Sequence, residues 1–416
     1  MMVPSAENDV AAATALLPGV TRQERVSLAK MPRKQRRRLL RTLRRVSEQR
    51  GEVPLRLRVV LSSLPEARKA TLLQDLADDD DESIARVYVE RVLQLPTAPL
   101  RPWCFCKACG GSASVADLLL GARRSLDEAA IGQEQLKDTI IQLLAERACS
   151  SARPTALGIH GPPGNGKTTL VRRGMADIMR VPFFTVALGG MSDASHLVGF
   201  ERTYSNAKHG RLAEIAIEAR CTNPVIFFDE LDKVSSTERG REIVDVLVHL
   251  TDPESCDTIH DCFLGPVDLR GAQLVFAYND ETRIPPVLLN RLRTVNTSGY
   301  SAATKTDIAK KHLWPALLRE NDVSPEQLTI EDDVIQAVVA RCTEEKGVRQ
   351  LRQRLGSLAH RALACLRTDG KVTLGVPTEC FRPETGTVAL RMPEALQLVD
   401  LVTPDKPTGG PTHMYT

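Results

Sequence analysis

The sequence has few aromatic residues, no long apolar run and no basic residue near its start. Only 4% of the 416 residues are aromatic, which is ordinary for a helical or α/β protein. No apolar stretch reaches the roughly 18 residues of a membrane span, and residues 1–20 contain no Lys or Arg, which excludes the basic start of a secretory signal. The ten cysteines are scattered along the chain. We therefore expect a soluble intracellular protein with reduced thiols, and we favour the cytoplasm over the nucleus or a mitochondrion.

Positive charge is concentrated in one short segment. Residues 21–50 contain twelve Lys or Arg and two acids, a net charge of +10 in a chain whose total is +3. The spacing of apolar residues predicts an amphipathic helix from Met31 to Val46, with eight basic residues among the thirteen from Arg33 to Arg45. Three interpretations of this helix stay open: nucleic-acid contact, a nuclear import signal, or a solvated helix that packs on its leucine stripe.

The pattern of apolar residues divides the chain into six segments. We predict a flexible start over 1–20, a helical region over 21–96, a linker over 97–111, an α/β domain over 112–300, a small helical domain over 301–370, and an extension over 371–416 whose end is disordered. In the α/β domain short β-rich runs alternate with helical runs, which is typical of a parallel sheet with helices on both faces. The predicted strands cover residues 155–160, 183–188, 225–228 and 274–277, with a weaker one near 295.

The strongest motif is a phosphate-binding loop between the first of these strands and a helix. It reads Gly161, Pro162, Pro163, Gly164, Asn165, Gly166, Lys167 and Thr168, and Thr169 follows. Glycines let the backbone amides turn toward the β-phosphate of a nucleotide, and the helix directs its positive N-terminal end at the same group. Lys167 is placed to reach the β- and γ-phosphates, and the Thr168 hydroxyl to bind Mg²⁺. The motif predicts ATP and Mg²⁺ as ligands.

Polar residues follow the next two strands of the predicted sheet. Asp229 and Glu230 come directly after the apolar run 225–228, where an aspartate is placed to hold Mg²⁺ and the glutamate to deprotonate the attacking water. Asn279 follows the next strand and is expected near the γ-phosphate. Arg291 and Arg349 complete the series, although local pattern alone does not single out either arginine.

In order and approximate spacing these residues resemble the AAA+ ATPases, and within them the ATPase module of the Lon proteases. The longer strings that carry the resemblance are Leu188-Gly-Gly-Met-Ser-Asp193, Phe200-Glu-Arg-Thr-Tyr204, Asp229-Glu-Leu-Asp-Lys233, Ile284-Pro-Pro-Val-Leu-Leu-Asn-Arg291 and Gly347-Val-Arg-Gln-Leu351. The resemblance covers about residues 60–370 of the sequence. It implies a P-loop AAA+ module with a parallel sheet and a small helical lid domain.

The resemblance also implies an assembly and further roles for residues. It implies a homo-oligomeric ring, a hexamer, that binds ATP between subunits and acts on unfolded or misfolded proteins. Arg291 is then the arginine finger that reaches the neighbouring subunit's γ-phosphate, and Arg349 is the lid arginine that closes over the nucleotide. Ile131 and Gly132 are expected beside the adenine, and Tyr204 in the first pore loop.

Three departures from the family pattern bear on these roles. Ser205 and Glu238 replace apolar residues of the two pore loops, which predicts a weaker grip on a substrate chain. Asn290 replaces the aspartate that usually precedes the arginine finger. Lon proteases continue into a Ser-Lys protease domain after the lid, whereas 46 residues follow Gly370 here, so we expect an ATPase with no peptidase activity of its own.

Other functions stay open beside protein remodelling. The basic helix would suit a nucleic-acid-associated motor or loader, and a regulatory ring subunit could partner a full-length protease. Cys104, Cys106 and Cys109 lie within six residues and include a Cys-x-x-Cys half-site for zinc, but no fourth ligand follows at a usable spacing. They are either metal ligands or free thiols of a linker.

Overall fold

The computed structural model describes residues 31–32, 35, 54–78, 82–97, 115–149, 154–202, 207–252, 258–382, 386–391, 395 and 398–399. The chain divides into two units, Met1–Leu93 and Gln94–Thr416. Several predicted features lie outside the described residues: the flexible start, nearly all of the basic helix, most of the 97–111 linker with its cysteines, and the Tyr204 loop tip.

Three helices lie in the described residues of the first unit. They are α1 (Leu55–Leu61), α2 (Glu66–Asp78) and α3 (Glu82–Val92). Pro54 and Pro65 directly precede the first two, because a fixed φ and a missing amide hydrogen suit the start of a helix. Val59, Leu72 and Val89 are fully buried. The helical N-terminal region predicted from the sequence is confirmed over these residues.

The second unit contains a five-stranded parallel sheet. Its strands are β1 (Leu157–His160), β2 (Phe183–Ala187), β3 (Val225–Asp229), β6 (Gln273–Tyr278) and β7 (Arg293–Asn296), in the order β2-β3-β6-β1-β7. A separate antiparallel hairpin comprises β4 (Thr258–Asp261) and β5 (Gly265–Asp268). All five strands of the predicted sheet are present, within a few residues of the predicted bounds. The hairpin was not predicted.

Helices surround this sheet. They are α4 (Val115–Ala129), α5 (Glu134–Cys149), α6 (Lys167–Val171, continued by a π-helical turn to Asp177), α7 (Ser195–Val198), α8 (Arg211–Ala219), α9 (Glu238–Thr251) and α10 (Pro286–Leu289). Buried residues of α4, α5 and α6 form one apolar cluster with Leu157, Phe227 and Val275. Because side chains alternate along a strand, the stacked rings of Phe228 and Phe276, 4.7 Å apart, face the opposite side. The predicted α/β fold class is confirmed.

A mainly helical lid follows the sheet. It comprises α11 (Ala302–Ile308, continued by a π-helical turn to Leu313), α12 (Trp314–Glu320), β8 (Leu328–Ile330), α13 (Asp332–Ala340), α14 (Arg349–Arg367), β9 (Phe381–Arg382) and β10 (Thr387–Leu390). The last strands form a small sheet in the order β8-β10-β9. Val388, Leu390, Leu398 and Val399 are buried in the lid core, so that core extends past residue 370, where the sequence analysis had placed its end.

None of the helices in the described part of the chain combines the length and the apolar content that crossing a membrane requires.

Candidate nucleotide-binding site

The phosphate-binding loop joins β1 to α6 and has an unusual backbone. Gly161, Gly164 and Gly166 have φ angles of +149°, +77° and +86°, a region that residues with a Cβ rarely adopt. A Cβ at position 161 would also collide with the hydroxyl of Thr297. Glycine is therefore the favoured residue at these turns, and the loop leads directly into the N-terminal end of α6 at Lys167.

Lys167 is buried inside this loop, with 8% of the residue exposed. Its Nζ donates hydrogen bonds to the carbonyl oxygens of Gly161, at 2.6 Å, and Pro162, at 3.1 Å. Burial lowers the pKa of Lys167 to about 8, although the negative charges of Asp229 and Asp232 oppose the shift. An anionic phosphate at this position would favour the charged amine in the same way as these carboxylates.

Asn279 follows β6, which lies between β3 and β1 in the sheet. Its side-chain oxygen accepts a hydrogen bond from Lys167 Nζ at 3.3 Å. Its backbone amide donates to the buried carboxylate of Asp232 at 3.2 Å. The structure therefore brings Asn279 to the phosphate loop. Asp232 belongs to a string quoted in the sequence analysis, but no role was predicted for it.

Asp229 and Glu230 lie at the carboxyl end of β3. Asp229 Oδ1 accepts the backbone amide of Glu230 at 2.9 Å. Glu230 has a left-handed backbone, with φ of +59°, and its carboxylate lies over Gly189, where a Cβ would collide with Oε2. Glu230 is exposed, whereas Asp229 is half-buried. The glutamate is thus presented at the edge of the sheet from which the phosphate loop also emerges.

Two residues of the strand-to-lid connection, Thr297 and Tyr300, support the loop. Asn165 Nδ2 donates to Thr297 Oγ1 at 2.6 Å, and that hydroxyl donates to the carbonyl of His160 at 2.8 Å. The Tyr300 hydroxyl donates to the carbonyl of Asn165 at 2.7 Å. Burial raises the pKa of Tyr300, so the phenol remains a donor at neutral pH. Sequence reasoning missed Thr297 and Tyr300, because neither belongs to a motif.

A cavity of about 230 Å³ lies beside the loop, between the sheet domain and the lid. Its lining includes Ile131, Gly166, Thr169, Tyr300 and His312. Burial, helped by the positive charges of Arg173 and Lys311, lowers the pKa of His312. Ile131, predicted beside the adenine, lies in this wall. Gly132, with φ of +75°, follows next to the ring of Tyr300.

The lid arginine lies at the phosphate loop. Arg349 is the first residue of α14 and is exposed. The preceding amide, of Val348, donates to the carbonyl of Gly164 at 3.0 Å. A Cβ at Gly164 would lie 3.1 Å from Arg349 Cβ. The structure thus places Arg349 beside the loop although 182 positions separate it from Lys167.

Arg291 forms its hydrogen bonds elsewhere. Its Nη1 donates to the carbonyl of Val248 at 2.9 Å and lies 3.2 Å from the carboxylate of Asp252. Both partners belong to the C-terminal end of α9 and the residue after it. These contacts hold the guanidinium against α9 and not at the phosphate loop.

Of the expected pore residues, only Glu238 lies within the described part of the chain. It begins α9 and is exposed. Tyr204 and Ser205 lie outside the described residues, but the two ends of their loop are held together. Phe200 donates its amide to the carbonyl of Lys208 at 3.0 Å. The buried carboxylate of Asp261, in the β4–β5 hairpin, accepts the amide of Gly210 at 2.7 Å.

Family models match both parts of this site. Residues 157–300 match the model described as "ATPase family associated with various cellular activities (AAA)". Residues 319–372 match "Lon protease AAA+ ATPase lid domain". The first match contains the loop, both acids, Asn279 and Arg291, and the second contains Arg349.

Curated relatives agree with these matches. A "Lon protease" of Desulfovibrio desulfuricans is 32% identical over 297 residues, which are 71% of this chain and 32% of that protein. "Lon protease 4" of Sorangium cellulosum is 33% identical over 319 residues, covering 74% and 38%. A "Lon protease homolog" of Acanthamoeba polyphaga mimivirus is 34% identical over 241 residues, covering 57% and 24%. The chain thus spans between 24% and 38% of the length of these three relatives.

Proposed function

Since the chain carries an AAA ATPase domain and a Lon-type lid, we propose that it binds and hydrolyses MgATP in an oligomeric ring and uses the energy to remodel or unfold protein substrates. The observation that supports this most is the convergence of Lys167, Asp229 and Asn279 at the carboxyl ends of three adjacent parallel strands. Lys167 donates to Asn279, and the charge of Asp229 acts on Lys167. Side chains from separate strands meet there as they would around a triphosphate.

Different residues of the chain have different roles in ATP hydrolysis. Lys167 holds the β- and γ-phosphates, and the loop amides between Gly161 and Thr168 surround the β-phosphate. Glu230 accepts a proton from the water that attacks the γ-phosphorus, while the bond from this phosphorus to the bridging oxygen of the β-phosphate breaks and ADP leaves. Asn279 orients that water or the γ-phosphate from the neighbouring strand, and Arg349 contacts the phosphates from the lid side.

The residues at the loop fit a magnesium ion. The Thr168 hydroxyl and the Asp229 carboxylate would hold it, since both are oxygen ligands of the kind that Mg²⁺ prefers. Thr168 directly follows Lys167, and the negative charge of Asp229 acts on the amine of that lysine. When bound, the ion neutralises charge on the β- and γ-phosphates.

A ring assembly is part of the proposal. Arg291 would complete the site of the neighbouring subunit by neutralising charge on the γ-phosphate in the transition state. Its hydrogen bonds to α9, away from its own phosphate loop, support a role between subunits. We propose a hexamer with one nucleotide site at each subunit interface.

Protein substrates would be gripped at the pore by Tyr204. Ser205 and Glu238 stand where the family has apolar residues in its two pore loops, so we propose a weak grip that moves loosely folded chains but not stable domains. For these 416 residues we propose ATP hydrolysis without peptide-bond cleavage, because both matched domains belong to the nucleotide-hydrolysing module. Release of peptides from unfolded casein, measured with ATP, would contradict this last point.

A second candidate function rests on the charge of residues 21–50. Twelve basic residues favour a nucleic-acid phosphate backbone as a partner, which would make the ring a nucleic-acid-associated motor or loader. Such binding should weaken by about tenfold or more for each several-fold rise in salt concentration. A regulatory ring subunit that joins a full-length protease is the third candidate, and it predicts little activity without that partner.

One experiment separates the three candidates. The ATPase rate is measured with the chain alone, with an unfolded protein, and with double-stranded DNA at low and high salt. Stimulation by unfolded protein supports remodelling, and salt-sensitive stimulation by DNA supports the second candidate. A low rate that rises only when a full-length Lon-type protease is added supports the third. Absence of hydrolysis under all conditions would contradict the proposed function.

A further inference from the structure

The turn that precedes α14 lies directly on the phosphate-binding loop. Gly347 is buried, and a Cβ at this position would collide with the carbonyl oxygen of Pro163 and lie 2.7 Å from the carbonyl carbon of Gly164. Val348 donates its amide to the Gly164 carbonyl at 3.0 Å. The lid therefore meets the loop backbone to backbone. A side chain can relieve a collision by changing its rotamer, whereas a backbone carbonyl cannot move unless the backbone itself moves.

The contact is reciprocal and includes Arg349. A Cβ at Gly164 would lie 3.1 Å from Arg349 Cβ and 3.2 Å from its backbone nitrogen. Each partner thus has a glycine at the point of closest approach. One more carbon at Gly347 would force the two backbones apart, and Arg349 would move with the lid.

The turn is also held on its other sides. Tyr300, at the connection between sheet and lid, donates its amide to the carbonyl of Lys346 at 2.8 Å. The Glu345 carboxylate accepts the amide of Gln350 at 2.9 Å and so satisfies a free donor in the first turn of α14. A displacement of the turn would therefore be transmitted to the whole helix, from Arg349 to Arg367.

We infer that Gly347 is a positioning residue for the lid arginine: by allowing backbone contact with the phosphate loop, it fixes where Arg349 meets the nucleotide. This inference rests on the role proposed above for Arg349. Gly347 does not have a left-handed φ, so an alanine there would suffer the collision without backbone strain. Gly347→Ala thus isolates the contact from the usual conformational cost of replacing a glycine.

The test compares Gly347→Ala with a matched control on the same helix. At Gly356 a Cβ would meet only Leu317 Cδ2, at 3.6 Å, an ordinary contact. We expect Gly347→Ala to lower kcat/KM for ATP by about tenfold or more, as a misplacement of catalytic groups by about 1 Å can do. Gly356→Ala should retain the wild-type value. Wild-type kcat/KM in Gly347→Ala would overturn the inference.

A double variant distinguishes the positioning of Arg349 by Gly347 from a general disturbance of the structure. If Gly347 acts through Arg349, Gly347→Ala should cause no further loss in a chain that already carries Arg349→Ala. Losses that multiply would show a merely structural effect and overturn the inference. Arg349→Ala alone reports on the proposed function: wild-type activity there removes the role of Arg349, and with it the mechanism inferred for Gly347.

Amide hydrogen exchange tests the contact without relying on hydrolysis or on the folding of a variant. In the wild-type chain, overlapping peptides that isolate Val348 should show slow exchange of its amide, because Gly164 accepts its hydrogen bond. Rapid exchange at that amide, with slow exchange retained in the middle of α14, would show that the turn does not rest on the loop and would overturn the inference.

Discussion

Lys167 Nζ lies 3.3 Å from Asn279 Oδ1, although 112 positions separate the two residues in the chain. The contact arises because β1 and β6 pair in parallel, with His160 opposite Tyr278. The phosphate loop and Asn279 therefore leave the sheet at the same edge and at neighbouring strands. A group bound by one of these side chains lies within reach of the other.

The first prediction concerns the proposed base. Glu230→Gln removes the proton acceptor but leaves the phosphate loop and Lys167 intact. Steady-state turnover of ATP should fall by about 100-fold or more, while the Kd of a fluorescent ATP analogue changes little. Asp245→Asn, in the middle of α9, serves as a control for loss of a carboxylate. Unchanged turnover in Glu230→Gln would remove this residue from the mechanism.

The second prediction concerns the pH dependence of nucleotide binding. Burial lowers the pKa of Lys167 to about 8 in the protein, and bound phosphates would favour the charged amine and raise that pKa again. Binding then takes up a proton above pH 8, so the Kd for ATP should rise with pH there, by up to about tenfold per unit. Below pH 7 the Lys167 amine is already charged in the free protein, so its proton uptake should no longer change the Kd for ATP.

Titration of ATP binding between pH 6.5 and 9.5 checks the second prediction. Lys167→Gln, which has no titrating amine, should bind more weakly and lose this rise. If the wild-type Kd stays constant through pH 9.5, the amine is charged throughout and its burial does not depress the pKa as described.

The third prediction concerns assembly. If Arg291 acts on a neighbouring subunit's nucleotide, each Arg291→Ala subunit disables a site that is otherwise intact. Arg291→Ala and wild-type protein are mixed at a fixed total concentration. As the fraction of wild type decreases, the ATPase activity of the mixture should decrease more steeply than in proportion to that fraction. Arg283→Ala, an exposed arginine paired with Asp280, is the matched control. A linear decrease for Arg291→Ala would place its effect within its own subunit.

The fourth prediction concerns the coupling of hydrolysis to work. With Ser205 and Glu238 in place of apolar pore-loop residues, ATP hydrolysis should proceed normally while a stable substrate domain resists unfolding. A destabilised form of the same tagged domain should be unfolded, and Tyr204→Ala should abolish that activity. Efficient unfolding of the stable form would contradict the weak grip. If Tyr204→Ala changes the unfolding of neither substrate, the result would favour the nucleic-acid or the regulatory candidate function.

Much of the sheet could be predicted because its strands are short apolar runs that end in chemically informative residues. The meeting of Lys167 and Asn279 follows from parallel strand order alone. The β4–β5 hairpin was missed because Thr258–Asp261 is only four residues long and one of its two buried residues is an aspartate. The carboxylate of Asp261 is buried because it accepts the amide of Gly210, 51 positions earlier.

Two contacts at or near the site could not be predicted from the sequence. The contact between Gly347 and the phosphate loop has no local signal, since Gly-Val-Arg looks like any turn before a helix. Arg291 donates a hydrogen bond to the backbone carbonyl of Val248, 43 positions earlier. Because every residue has such a carbonyl, the type of residue at position 248 does not indicate this contact. Sequence reasoning supplied these residues through the family resemblance but not their contacts.

Residues 376–399 contribute buried apolar side chains to the core of the lid. The chain therefore cannot be shortened before these residues without exposing that core. An expression clone that stopped at residue 372, where the lid match ends, would delete β9 and β10 and leave β8 without its partner. The side chains of Leu328 and Leu355, both fully buried in the same cluster, would then lose part of their cover. Such a fragment should aggregate when purified, whereas one extended to residue 400 should remain monodisperse.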